Sequence, residues 1–389
     1  ISWQTIVTAS TLTAVAGNGY WIDTTSNACT ITLPASASNG DQIMFADYAR
    51  NWGTNGIVID SNGLNYQTQD DTYDVEYGTD GTALHIVYSG ATNGWIPTLD
   101  KAVNSIGNSE GVFAYGTAGG YVGMSNLVSN AGVVSTDVTA VGTAREGPAA
   151  CEYGGNKGIF GFGYDGANAS YTNLVTNTGV LGTDVTGVGT ARYYLAACSY
   201  GGGKGIFGFG HDGSSQSLTN LVSISGVVAT DTTGVGTGRY DLAACEYGGD
   251  KGIFGYGNDG SYTSTTNLVS NAGVVGTDVT GVGTARAGPA ACGYGGDKGI
   301  FAYGSTGSNV SASNLVTNAG VVGTDVTGVG QARFYLGACE YGYDKGIFGY
   351  GYTGSSVSMS NRVSNAGVVA TDVTGVGTAR ERIAACSFN

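Results

Sequence analysis

Beyond about residue 105 the chain repeats one pattern of apolar and polar positions every 47 residues. In the unit that begins at Arg145, glycines and polar turns separate four short apolar runs, at 149–153, 158–162, 172–176 and 180–188. Runs of this length suit strands, and none is long enough for a good helix. In the second run the period of two sends Ile159 to one face and Phe160 and Phe162 to the other, so both faces are apolar or glycine. A strand sandwiched between neighbouring sheets needs that pattern, whereas a half-solvated strand alternates with polar residues.

The repeat is uninterrupted. Arg145, Arg192, Arg239, Arg286, Arg333 and Arg380 keep the step, as do Cys151, Cys198, Cys245, Cys292, Cys339 and Cys386. Asp137, Asp184, Asp231, Asp278, Asp325 and Asp372 keep it too. Four strands in a unit of this size predict a β-propeller blade. The ends of the array predict closure. Val112 and Phe113 align with Ile159 and Phe160, so the first unit starts late, with Asn104 at the cysteine position. The last unit stops after its first strand, Ile383 to Phe388, which supplies the strand the first unit lacks and removes its open edge. The expectation is an all-β chain: a small N-terminal β domain (1–103), then a six-bladed β-propeller of four-stranded blades (104–389), closed by the C-terminal strand. A β-solenoid with two coils per unit is the alternative; the split first unit fits a ring better.

Residues 1 to about 100 lack the repeat and hold all four tryptophans, Trp3, Trp21, Trp52 and Trp95. Apolar runs around Ile31, Met44, Val58 and Ile86 read as strands, and Asn39-Gly40, Asn55-Gly56 and Asn62-Gly63 as turns. A compact all-β module follows.

Composition sharpens this. Seventy glycines without a Gly-X-Y period, and with only four prolines, exclude collagen and fit tight turns between short strands. A net charge of -14 argues against nucleic acid and anionic membrane as partners. No apolar run approaches a membrane span. The N-terminus shows no basic-then-apolar secretory pattern, although without a starting Met a removed leader stays open. Seven cysteines, six at equivalent positions, are not a disulfide framework and point to folding in a reducing compartment.

Catalytic chemistry finds little footing. With only two histidines, His85 and His211, a His-based triad or multi-His metal site is nearly excluded. His85 reads as structural and His211 as a loop variant. The six repeat cysteines read as small apolar groups rather than ligands, because no unit has ligand spacing. The repeated Asp and Arg, eight apart as in Asp184 and Arg192, read as a hydrogen-bonded or paired scaffold. Lys157, Lys204, Lys251, Lys298 and Lys345 read as solvated turn residues. Glu152, Glu246 and Glu340 occupy every second unit, alternating with Ser199, Gly293 and Ser387. They read as polar lining, with a cation or water site, or a glycosidase pair, as alternatives. No catalytic residue, cofactor or metal is expected, and the chain does not read as an enzyme.

The units differ from one another in two places. One is the link from the fourth run to the next first run: Glu146-Gly-Pro148, Tyr193-Tyr-Leu195, Tyr240-Asp-Leu242, Ala287-Gly-Pro289, Phe334-Tyr-Leu336 and Glu381-Arg-Ile383. The other is the loop between the second and third runs, as at 164–171, 211–218, 258–265 and 352–359. In an up-and-down blade both emerge on the same face. Tyrosine pairs flat apolar area with a hydroxyl at low entropic cost, which suits recognition and sugar stacking. The candidate ligand-binding residues are therefore Tyr164, Tyr171, Tyr193, Tyr194, His211, Tyr240, Asp241, Tyr262, Phe334, Tyr335 and Tyr352. The competing reading is drift in exposed loops.

Two resemblances add to this. The run Arg239-YDLAACEYGGDKGIFGY-Gly257 resembles a kelch unit, with Gly-x-Gly where kelch has Gly-Gly and no later Trp. It implies a propeller more strongly than kelch ancestry. The N-terminal run Tyr20-Trp-Ile-Asp-Thr-Thr25, Thr32-Leu-Pro-Ala35, Phe45-Ala-Asp-Tyr48, Asp60-Ser-Asn-Gly63 and Gly94-Trp-Ile-Pro97 resembles a domain of tail fibres of marine tailed bacteriophages. That resemblance implies a virion protein folded in the host cytoplasm, often a trimer, with other virion proteins as partners. The functional expectation is a fibre protein whose propeller face binds a host-surface receptor, a glycan. The alternatives are a purely structural virion protein, such as a decoration or spacer, and a propeller glycan hydrolase.

Overall fold

Strict alternation builds the N-terminal unit. In Ile57–Asp60 the two isoleucines point inward and Val58 and Asp60 outward, and Gln42–Asp47 and Ala83–Tyr88 repeat the rule. The inward residues, Ile31, Ile43, Phe45, Ile57, Ile59 and Ile86 among them, close on the buried Trp52 and Trp95. A computed structural model describes residues 1–71, 75–98, 104–105, 109–139 and 141–388. Contacts divide the chain into Ile1–Ile106 and Gly107–Asn389. No helix occurs among the described residues, so none is long and apolar enough to cross a membrane.

The first unit consists of two five-stranded sheets. Thr11–Thr13, Asn18–Ile22, Cys29–Thr32, Gln42–Asp47 and Ile57–Asp60 alternate between them, and those of these five that are neighbours pair in parallel, whereas Ala83–Tyr88 and Val75–Tyr77 join antiparallel. The turn at Asn39-Gly40, with Gly40 at φ +92°, thus carries the chain across to the other sheet. Asn62-Gly63 turns with both residues at positive φ, and Asn55-Gly56 leads directly into Ile57–Asp60.

The second unit holds six three-stranded antiparallel sheets among the described residues. One is Ala149–Tyr153, Lys157–Tyr164 and Asn168–Val175, with Cys151 opposite Ile159. Four others repeat that register: Cys198 faces Ile206, Cys245 Ile253, Cys292 Ile300 and Cys339 Ile347. In the sixth, Glu110–Ala114 pairs with Ser125–Val128 on one side and the C-terminal Ala384–Phe388 on the other, and Cys386 faces Val112. Asn104–Ser105 instead pairs with Val75–Tyr77 in the first unit. First strands pack on first strands, and Ala384–Phe388 packs on both Gly337–Tyr341 and Ala149–Tyr153.

The expected fourth strand is not a ladder. The run at 180–188 makes two isolated bridges, Leu181 to Val175 and Val185 to Thr172. The bridges are four residues apart on one side and three on the other, so regular pairing cannot run between them. A side chain fills the gap: Asn173 Nδ2 donates to Gly182 O at 3.1 Å and to Asp184 Oδ1 at 2.9 Å.

Phe160 and Phe162 were expected on one face, and they part. Phe162 has φ +63°, within a bulge between Gly161 and Gly163, and the inversion turns its ring around. Phe160 then meets Tyr115 of the preceding sheet at 5.5 Å and Phe162 meets Phe207 of the following one at 5.2 Å, both edge-to-face. The same contact recurs at every seam, ending with Phe113 on Tyr350 at 5.3 Å. Such pairs contribute about 0.5–1.5 kcal/mol each beyond burial. A Cβ on Gly161 would lie 2.8 Å from Phe207 Cζ, a close approach that Ala114 and Ala302 accommodate at the equivalent positions of their units.

The repeated arginines are fully buried and bolt sheet to sheet. Arg192 lies over the Phe162 ring of the preceding sheet at 4.4 Å. It donates to Phe209 O at 2.7 Å, Asn220 Oδ1 at 2.7 Å and Thr190 O at 3.0 Å. Its carboxylate is Asp231, 3.9 Å away, not Asp184. Burial disfavours the charge of Asp231, but bonds from Thr190 and Asn220 and the nearby guanidinium hold its carboxyl below the usual range, and the same causes lower Asp137, Asp184, Asp278 and Asp325.

Candidate functional site

The middle residues of the six links, Gly147, Tyr194, Asp241, Gly288, Tyr335 and Arg382, all take left-handed backbone, with φ between +52° and +62°. Each N–H donates to the carbonyl of its predecessor: Tyr194 to Gly147, Asp241 to Tyr194, Gly288 to Asp241, Tyr335 to Gly288, Arg382 to Tyr335 and Gly147 to Arg382. These bonds, 2.8–3.0 Å long, form a closed cycle. Left-handed backbone costs a non-glycine residue of order 1 kcal/mol or more, and strain of this kind gathers at functional sites.

The cycle has a twofold pattern that its sequence reveals: Gly, Tyr, Asp, then Gly, Tyr, Arg. Tyr194 and Tyr335, three units apart, stack at 5.8 Å with rings 14° from parallel. Glycine precedes each, because a Cβ at Gly147 would lie 2.5 Å from the Tyr194 ring and one at Gly288 3.1 Å from that of Tyr335. Arg382 lies over both rings, at 5.4 and 4.9 Å, and donates to both Glu146 oxygens at 3.0 Å. Tyr194 Oη donates to Glu146 Oε1 at 3.2 Å and Tyr335 Oη to Asp241 Oδ2 at 3.1 Å. The buried Asp241 carboxyl is pushed up to about 7 by desolvation, against the pull of Tyr335 and Arg382. The middle of the cycle is thus filled by side chains whose polar atoms bond one another.

Beside this plug runs a strip of rings. The first link residue pairs with the start of the following loop, as Glu146 with Tyr164, Tyr193 with His211 and Tyr240 with Asn258. Rings touch in series: Tyr121 to Tyr164 at 5.9 Å, Tyr164 to Tyr193 at 5.3 Å, Tyr193 to His211 at 5.5 Å and His211 to Tyr240 at 5.1 Å. The exposed Tyr262 lies beyond, near enough to act electrostatically on Tyr240. Ala287 and Ser305 hold the next pair of positions and end the strip. At its other end a shallow cavity of about 430 Å³ opens beside Tyr121, walled by Val122, Met124, Val138 and Ala144 together with Asp137 and Thr139. A second aromatic group, Phe334 with Tyr352 at 5.6 Å, reaches the plug through Tyr335 at 4.4 Å.

Of the residues expected from sequence, Tyr164, Tyr193, Tyr194, His211, Tyr240, Phe334, Tyr335 and Tyr352 fall into this one set of ring contacts, with Asp241 bonded to it. Tyr171 does not join them. Its hydroxyl donates to Asp165 at 2.7 Å and its ring lies under Arg145 at 4.8 Å, so it serves the scaffold. Tyr121, Glu146 and Arg382 were missed as site residues. Glu146 and Arg382 stood in the variable links, and Tyr121 is the repeat equivalent of Tyr262.

The other candidates lie elsewhere. His85 has both ring nitrogens engaged, with Gln42 at 3.0 Å and Thr98 at 2.6 Å. The six repeat cysteines are buried free thiols. Each of the six abuts the glycine near the start of a neighbouring second strand, as Cys151 Sγ does Gly205. Glu152, Glu246 and Glu340 sit half-buried on first strands, and burial raises all three carboxyls, Glu246 to about 8 and Glu340 to about 7. Repulsion between carboxylates adds to the rise at Glu152 and Glu246. Among the described residues no three His, Cys, Asp or Glu side chains form a metal-ligand group.

No family model matches the chain and no curated protein is found to be similar to it.

Proposed function

We propose that the repeat region is a six-bladed β-propeller whose link face binds a ligand, a glycan of a host cell surface, and that the chain is a virion fibre protein. Closure is supported by the pairing of Ala384–Phe388 with Glu110–Ala114 and by the hydrogen-bond cycle. The observation that carries the binding reading is the aromatic strip. Everywhere else the scaffold repeats, with the same arginine, asparagine and aspartate in each unit, yet the half-exposed rings gather along one part of one face. Drift alone has no reason to place tyrosines in contact across successive units. The fibre assignment rests on the N-terminal motifs. The exposed stacked pair Trp3 and Trp21, 4.1 Å apart, supports a homo-oligomer formed through that unit.

Adsorption competition tests this. The purified chain is expected to bind susceptible cells and block virus adsorption, with binding lost after periodate oxidation of the cells' glycans. Failure to bind any susceptible cell would return the chain to a purely structural virion role.

A further inference from the structure

We infer that the face takes an extended, uncharged oligosaccharide laid lengthwise along Tyr121, Tyr164, Tyr193, His211 and Tyr240, with one end in the cavity beside Tyr121. This rests on the glycan-binding reading above and narrows it.

Hydroxyl bookkeeping separates the strip from the plug. Tyr194, Tyr335 and Tyr171 spend their hydroxyls on Glu146, Asp241 and Asp165. Among the described residues, the hydroxyls of Tyr121, Tyr164, Tyr193 and Tyr240 have no protein partner. A solvent-facing hydroxyl without a protein partner is an open donor and acceptor, and sugar hydroxyls offer both. The rings are also held in place by their neighbours, so a ligand meets a surface ordered in advance and little rotamer freedom is lost.

Shape argues for a chain over a single sugar. Successive rings are 5.1–5.9 Å apart, comparable to the advance of one pyranose unit, and the series draws on four repeats before Ala287 and Ser305 end it. The shallow cavity beside Tyr121 is open to solvent and joins apolar walls to the polar Asp137 and Thr139, a mix that a neutral sugar can meet. Charge argues against an acidic glycan. Asp165 and Asp212 lie in the loops that carry the strip, and the neighbouring cation, Arg382, is already paired with Glu146. A sialic acid or phosphate would meet like charge.

The test presents the full chain to immobilised gluco-, manno-, galacto- and N-acetylglucosamine oligosaccharides from monosaccharide to hexasaccharide, beside sialylated and phosphorylated glycans. Binding is expected to neutral chains, rising with length up to the tetrasaccharide and level beyond it. Tyr164→Ala and Tyr240→Ala should each weaken it about tenfold, the equivalent of about 1.4 kcal/mol. Tyr164→Phe should weaken it less, and Tyr48→Ala, at an exposed tyrosine of the first unit, should leave it unchanged. Thermal melting confirms that each variant is folded. Preference for sialylated or phosphorylated glycans, or length-independent binding, overturns the inference while leaving a glycan-binding face, and equal loss with Tyr48→Ala overturns it by taking the binding off the strip. Binding to no glycan at all overturns the glycan reading itself.

Discussion

At the residue scale the chain depends on polar groups buried with their partners. Arg192 is the sharpest case, since its guanidinium bonds two carbonyls and an amide, covers a ring and faces a carboxylate. Arg192→Met keeps much of the volume but strands Asn220 Oδ1 and Phe209 O. A loss of about 3–5 kcal/mol in denaturant-measured stability is expected. Asp241 works the other way. Its folded value, about 7, lies above the ordinary 3.8, so the native state holds a proton that the unfolded chain has released. Its charging therefore costs stability as pH rises through that interval, and none of the cost is present below it. Asp241→Asn, which retains an acceptor for Tyr335 and tolerates left-handed backbone, should raise the melting temperature at pH 8 and leave it unchanged near pH 4. An equal effect at both values would mean that the charge is not the cause. The sequence made the tyrosines and the variable links legible because they break an otherwise exact repeat. It did not reveal that Tyr171 turns inward, because the residues that claim it, Asp165 and Arg145, are identified only by the packing.

Elements were legible where pattern alone decides them. The run 149–153 is the strand Ala149–Tyr153, since alternation and bounding glycines leave no other choice. The fourth run failed as a strand because its pairing depends on the Asn173 side chain, which no hydrophobic pattern encodes. The parallel order of the first unit was hidden as well, because turn residues mark where the chain bends and not which sheet it enters. First strands carry a prediction of their own. Glu152, Glu246 and Glu340 share one equivalent position on alternate strands, with Cys151, Cys198, Cys245, Cys292, Cys339 and Cys386 beside them, Asp250 acting on Glu246, and no cation among the groups that shift them. All three are raised, so charging them opposes folding as pH climbs from the ordinary glutamate value to about 8. Melting temperature should fall between pH 5 and pH 8.5, and changing all three to Gln should remove most of that fall. A slope that survives the triple change would place its origin elsewhere.

At the scale of the whole molecule, the unit beyond residue 106 is held by contacts that return to their starting point. The link cycle, the aromatic seams and the pairing of Cys386 with Val112 each join the last repeat to the first. Arg380 does the same, donating to Tyr115 O at 3.0 Å and reaching Asp137 at 3.7 Å. A ring and a solenoid with identical repeats answer truncation differently. Removing residues 384–389 from a solenoid frays one end and leaves the other repeats stable. In a ring it bares an edge of Glu110–Ala114 and leaves the first strands on either side, Gly337–Tyr341 and Ala149–Tyr153, without the neighbour they share. Calorimetry of the full chain is expected to show a single transition for the repeat region. Truncation before Ala384 should lower it steeply and promote association through the exposed edge. A modest, graded loss confined to one end would favour the open solenoid, and would leave the link face without the closed cycle that orders its rings.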